Sequence, residues 1–172
     1  MTVQSNPSAF NKAGQAPPPK HVKPSKRAAM VRSAQICCDH RQSLFSYVNS
    51  DSRRSEFFHE VKAVLDGTAR THADCSQFYA AIANYHGVRG LTDDDYTGSL
   101  LQKGKLVYHP TPGDCVIFGG GTGEHAAMIT YNGFTIGFGH SPGAPNRVKL
   151  HDMATYFSQH GHPGVRFLSF VK

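Results

Sequence analysis

The chain has 172 residues, 39% of them hydrophobic, with a formal net charge of +6 and a pI near 9.3. That is long enough for one domain with a substantial core, and no apolar run approaches the roughly eighteen residues of a membrane-spanning helix. The positive charge favours polyanionic partners, such as nucleic acid or an anionic cell envelope, or simple solubility, and charge alone does not choose; the basic residues are scattered and no nucleic-acid motif is present, so nucleic acid is not expected.

Residues 1–24 carry Ala16-Pro17-Pro18-Pro19, Pro24 and many small polar side chains, which reads as a mobile arm with Lys20 and Lys23 able to touch an anionic surface. Its first residues, Met1-Thr2-Val3-Gln4-Ser5, lack the basic start and apolar centre of a secretory signal, so synthesis in a cytoplasm is expected. The spacing predicts a helix from Ser25, as N-cap, to Cys38, then a loop-like bridge over 44–54. A second helix runs from Arg53 to Leu65, with Phe57, Val61, Val64 and Leu65 on one stripe and Gly67 as its stop. A third covers 75–86, and Asp93-Asp94-Asp95 heads a short fourth near 94–102, since carboxylates suit a helix N-terminus. Strands are expected at Cys115–Phe118, His125–Tyr131, Phe134–His140, Val148–Leu150 and Val165–Val171, with a short helix over 151–159. Helices first and antiparallel strands after them argue an α+β domain over residues 25–172.

The third helix holds the chemistry. Cys75, Phe78, Ile82 and Tyr85 fall at helical spacing, and Gly87 follows as a stop. Asp74 and Gln77 form a capping-box pattern that sets Asp74 at the N-cap and Cys75 in the first turn. Backbone N–H groups and the positive end of the helix dipole there favour the thiolate, which is the reactive form. Taken alone, a cysteine on such a face is more often a small buried hydrophobe.

A partner follows from the hairpin. Asn132-Gly133 between two strands signals a two-residue type I′ turn. Tyr131 then faces Phe134, Ile129 faces Ile136, Ala127 faces Phe138, and His125 faces His140, with opposed Cβ atoms about 5 Å apart. One imidazole would take the thiol proton and the other orient it, the order nucleophile, base, orienter. Two unrelated surface histidines in a chain with 11 of them, or a bulge that slips the register by one, are the competing readings.

Cys37, Cys38 and Cys115 show no metal-ligand spacing and read as packing residues in a reduced chain. His151, His160 and His162 lack a third ligand at standard spacing, so a surface turn is favoured over a metal site. Gly119–Gly123 is a turn, with no Lys-Ser/Thr to make it a phosphate loop. No cofactor is implied.

Together these motifs resemble the NlpC-type, papain-like cysteine peptidases of cell-wall peptidoglycan, above all the versions found in bacteriophage lysins. Asp74-Cys75-Ser76 stands where the family's Asp-Cys-Ser opens a helix, and Pro112-Gly113-Asp114 with the strand to Phe118 matches its Pro-Gly-Asp strand. His125 in Glu124-His125-Ala126 matches the base, and His140 in Gly139-His140-Ser141 the third polar residue. Two positions depart: Gln77 replaces the usual glycine, and the Tyr-x-x-Gly-Gly loop is missing, leaving Tyr47 as the candidate tyrosine of an oxyanion hole. The resemblance spans about residues 28 to 171 and implies a papain-like fold, with N-terminal helices packed on a small antiparallel sheet.

It also implies hydrolysis of peptidoglycan stem peptides, at the D-glutamyl–diaminopimelate bond, through Cys75, His125 and His140. Asp74 and Ser76 would border the nucleophile. Peptidoglycan is the expected partner, with anionic wall polymers beside it. A phage lysin of this kind is made in the host cytoplasm and acts at the wall after release, or travels in the virion. Alternatives are an N-acetylmuramoyl-L-alanine amidase or acyltransferase with the same triad, or a non-catalytic wall-binding or virion structural protein.

Overall fold

The computed structural model describes residues 23–48, 56–139 and 143–172. The expected Pro-rich arm lies outside the described residues except for Lys23 and Pro24, which are exposed. Among the described residues no helix is long and apolar enough to cross a membrane.

Helix α1 (Lys26–His40) starts where Ser25 caps it, the serine Oγ accepting the Ala28 N–H at 3.2 Å. Its inner stripe of Met30, Val31, Ala34, Cys37 and Cys38 is buried. Helix α2 (Glu56–Leu65) buries Phe57, Val61 and Val64, as the spacing requires, and the chain turns away at Gly67 with φ 80°. Helix α3 (Cys75–Tyr85) is buried through most of its length. Helix α4 (Thr97–Lys103) is organised from below by the last residue of the acidic triplet. The buried Asp95 carboxylate accepts the Thr92 N–H at 2.7 Å, the Ser99 hydroxyl at 2.6 Å and the Lys103 ammonium at 2.7 Å. Helix α5 (Leu150–Gln159) precedes the last strand.

Two short strands escape the sequence reading. Strands β1 (Phe45–Tyr47) and β2 (Thr71–Ala73) pair in parallel, where the sequence shows only a bridge and a helix approach. A third, β3 (Lys105–Val107), was likewise not expected. The remaining strands are β4 (Cys115–Phe118), β5 (His125–Ile129), β6 (Phe134–Gly137), β7 (Asn146–Lys149) and β8 (Val165–Ser169). They form a six-stranded antiparallel sheet in the order β3-β8-β4-β5-β6-β7. The α+β architecture is therefore as expected, with the N-terminal helices packed on an antiparallel sheet.

Strand alternation divides the core in two. Cys115, Ile117, Ala126, Met128, Ile136 and Leu168 join α1, α2 and α3 in the larger cluster. Val116, Phe118, Ala127 and Ile129 face the other way, onto Met153 and Phe157 of α5. A knot of rings fixes β1 to the helices: Phe45 lies 5.0 Å from Phe57, 5.9 Å from Phe78 and 6.0 Å from Phe138, edge to face in each case.

The hairpin register differs from the expected one. Ile129 faces Thr135 and Met128 faces Ile136, a slip of one residue. The Asn132-Gly133 turn does form, with φ 59° at Asn132 and 74° at Gly133 and the Phe134 N–H bonded to the Tyr131 carbonyl. The Phe134 carbonyl, however, accepts the Thr130 N–H at 2.8 Å, reinforced by the Thr130 hydroxyl at 3.0 Å. Tyr131 is left over as a bulge residue. The slip keeps Met128 and Ile136 together on the α3 side, where burial of both is complete. The opposition of His125 to His140 rested on the unslipped count, and residue 140 lies outside the described residues.

The Pro112-Gly113-Asp114 turn anchors the domain. Asp114, 2% exposed, accepts the Arg27 guanidinium at 2.5 Å with one oxygen and the Thr111 N–H at 2.8 Å with the other. Arg27 also donates to the Ser169 hydroxyl at 2.7 Å and the Val171 carbonyl at 3.3 Å, so one side chain ties α1 to β4 and to the end of β8. Asp114→Ala strands that guanidinium and the Thr111 amide, and should cost about 3 kcal/mol in urea denaturation, while Arg27→Lys retains part of the contact and costs less.

Candidate active site

Three elements converge on Cys75. The parallel ladder sets Tyr47 level with Ala73, and the Val48 N–H extends it by bonding the Ala73 carbonyl at 3.3 Å. At the next residue, Asp74 caps α3 by accepting the Gln77 N–H at 2.8 Å, while Gln77 Oε1 accepts the Asp74 N–H at 3.0 Å. This is the expected capping box, and it fixes Cys75 in the first turn. Ser76 reinforces the cap, its hydroxyl donating to the same Asp74 oxygen at 2.8 Å. At 2% exposed, Ser76 presents no side-chain group outward, so what it offers the site is its backbone N–H.

The backbone N–H groups of Ala126, Ser76 and Cys75 itself lie near enough to the Cys75 sulfur to favour its anionic form. Ala126 is the residue after His125 on β5, so the amide that holds the sulfur lies one peptide from the His125 Cα. No side-chain motif announces such a donor, because any residue type supplies it.

The thiolate expectation does not hold for the resting site. Burial pushes the Cys75 thiol up to about 12, and the Asp74 carboxylate pushes in the same direction. The three amides oppose this and are outweighed. The helix N-terminus stabilises negative charge as anticipated, but the sulfur of a residue only 6% exposed loses more hydration than three amides return. Asp74 itself is pushed above the usual carboxylate range, by burial first, against its hydrogen bonds from Gln77 and Ser76. Cys37 and Cys38 are also raised by burial, to about 12 and about 11.

Tyr47 lies within electrostatic reach of Cys75. Its hydroxyl is close enough for Cys75 and Asp74 both to push its ionisation upward, after burial as the leading cause, so it is a neutral O–H donor at any physiological pH. Its ring rests edge-on against Phe138 at 5.2 Å. The signal in the sequence was the tyrosine alone; the strand that places it was not legible.

The His125 ring is buried at 6% exposure among aromatic rings: Phe157 is stacked on it at 5.5 Å with 19° between planes, and Phe118 lies at 6.1 Å. It is on the α5 side of the strand, whereas Ala126 is on the α3 side. His140, the expected third residue, lies outside the described residues. Of the remaining histidines singled out, His160 Nδ1 is 2.7 Å from the Tyr156 carbonyl, His162 Nδ1 is 3.4 Å from Glu124, and His151 is exposed on α5. Among the described residues no three metal-binding side chains cluster.

Fold and site together define an α+β domain whose buried cysteine sits at a helix N-terminus, ringed by amides and a neutral tyrosine hydroxyl. Such a ring can stabilise negative charge on sulfur or on an oxygen bound there. No protein-family model and no curated protein matches the chain. Among solved structures it is similar to the P60 domain of an antigen from M. avium subspecies paratuberculosis, at 20% identity and TM-score 0.46, over 72% of this chain and 85% of that one.

Asp74→Asn keeps the cap acceptor and removes the charge beside the sulfur. It should speed alkylation of Cys75 by iodoacetamide at pH 8 severalfold, read by peptide mass spectrometry. Asp74→Ala loses the cap as well and should cost about 1 kcal/mol of stability.

Proposed function

We propose that the chain is a cysteine peptidase of peptidoglycan that cuts stem peptides, with Cys75 as nucleophile and His125 as base. What supports this reading is the approach of the Ala126 N–H to the Cys75 sulfur, which sets the first turn of α3 against β5 one residue from His125, whose ring stacks on Phe157 on the α5 side of the strand. Because the lone thiol is raised to about 12, ionisation at neutral pH calls for a proton acceptor, and an imidazole is the group suited to it.

In the reaction the thiol proton passes to His125 and the sulfur attacks the amide carbonyl carbon. The carbonyl oxygen becomes an oxyanion, met by the Cys75 N–H and the Tyr47 hydroxyl. The imidazolium returns its proton to the leaving amine as the C–N bond breaks. Water, deprotonated by the neutral imidazole, then hydrolyses the thioester and frees the thiol. His140 is assigned the orienting role on the motif resemblance alone. The same resemblance supports the D-glutamyl–diaminopimelate bond as the target and a phage lysin or virion component as the context, with the wall as the site of action. The charge of +6 suits an anionic wall.

The test is digestion of purified peptidoglycan with the fragments weighed by mass spectrometry. The parent protein should release stem-peptide fragments, and Cys75→Ala should lose at least about 10³-fold in rate. Release at the sugar–peptide junction would assign amidase activity instead. Clearing of walls by Cys75→Ala at the parent's rate would overturn the enzyme and leave a wall-binding protein. Tyr47→Phe removes one oxyanion donor and should lower kcat about 10²-fold with KM little changed.

A further inference from the structure

Helix α5 lies on the face of the sheet away from the nucleophile helix, and nothing in the chemistry above uses it. Yet its residue Phe157 is stacked on the His125 ring at 5.5 Å and 19°, and on Phe118 at 5.5 Å and 15°. Phe118 and His125 are register partners on neighbouring strands, so strand pairing puts both rings on one face and α5 lays Phe157 across them. The Phe157–His125 stack, itself backed by the Phe157–Phe118 stack, restrains the imidazole plane.

We propose that Phe157 is a positioning residue for His125, setting its ring plane and favouring its cationic form. The inference rests on the reading of Cys75 and His125 as nucleophile and base. When the imidazole takes the thiol proton it becomes a cation within about 6 Å of an aromatic face, where the negative ring quadrupole attracts it. The benefit exists only in the imidazolium state, so the stack widens the pH range over which sulfur is anionic and the ring protonated. Removing it raises the pH at which the thiol proton leaves and lowers the pH at which the imidazolium proton leaves.

Other titratable and charged groups stand on the elements around this ring. Glu124 precedes it on the chain, with His162 3.4 Å from that carboxylate. Tyr156 stands on α5 and His160 caps its C-terminus, and the Arg166 guanidinium is held on the Gly119 and Gly121 carbonyls. Cys75, Asp74 and Tyr47 lie beyond Ala126. A substitution at Phe157 leaves all of these in place, so a shift reports on the stack itself.

The experiment follows Cys75 alkylation by iodoacetamide from pH 4 to 10 on the full chain, using parent, His125→Ala, Phe157→Leu and Phe157→Tyr, with thermal melts to confirm folding. The parent should show a reactive plateau at intermediate pH that His125→Ala abolishes. Phe157→Leu keeps an apolar side chain without the ring and should narrow that plateau by about half a pH unit at each end; Phe157→Tyr should restore it. A plateau that His125→Ala abolishes but Phe157→Leu leaves unchanged would overturn the proposal and spare the dyad. A parent profile with no plateau dependent on His125 would overturn both. Faster alkylation of Phe157→Leu across the whole range would show that the stack withholds the ring from sulfur, which also refutes it.

Discussion

The approach of the Ala126 amide to the Cys75 sulfur joins the first turn of α3 to β5, and with it the helices to the sheet. Everything around it serves that meeting. The capping box decides which residue occupies the first turn of α3, and the β1–β2 ladder delivers the chain to that cap with Tyr47 alongside. The one-residue bulge at Tyr131 keeps Met128 and Ile136 facing the helix, so that α3 can approach β5 closely.

The site is a balance of opposed terms. Amides at the helix start and on β5 favour negative charge on sulfur, whereas burial and the Asp74 carboxylate oppose it, and burial wins. Asp74 is caught in this conflict, being required as a cap and unfavourable as a neighbour. A thiol held neutral in this way is shielded from adventitious oxidation and alkylation until a base takes its proton. The proposed mechanism therefore asks more of the imidazole than a site with a preformed thiolate would, which is why the rings around His125 carry weight.

How much was legible in the sequence depended on the range of the determining interaction. Local patterns served well: the Asp74–Gln77 box, the Ser25 cap, the α2 stripe and the buried run Cys115–Phe118 all stand where their spacing put them. The hairpin was found, but its register was not, because the choice between Tyr131 and Thr130 as the partner of Phe134 is made by the helix packed against Met128 and Ile136. Strands β1, β2 and β3, of three residues each, are too short to show alternation and exist through tertiary pairing. Of the site residues, Cys75 and Asp74 were placed by local rules. Tyr47 was reached only by resemblance, and the Ala126 amide had no side-chain signal at all. The thiol's state was misjudged because helix-end electrostatics is local, while desolvation depends on everything packed above it.

The Arg27 clamp has a consequence for how the domain comes apart. It spans the first described helix, the Pro112–Asp114 turn and the last strand, with Ser169 and Val171 among its acceptors. Segments far apart in sequence thus share one polar fastening, and opening either end exposes the same buried carboxylate to water. The amides at the start of α1 and along β8 should then exchange with deuterium as a single unit, so the two ends of the domain melt together instead of fraying independently.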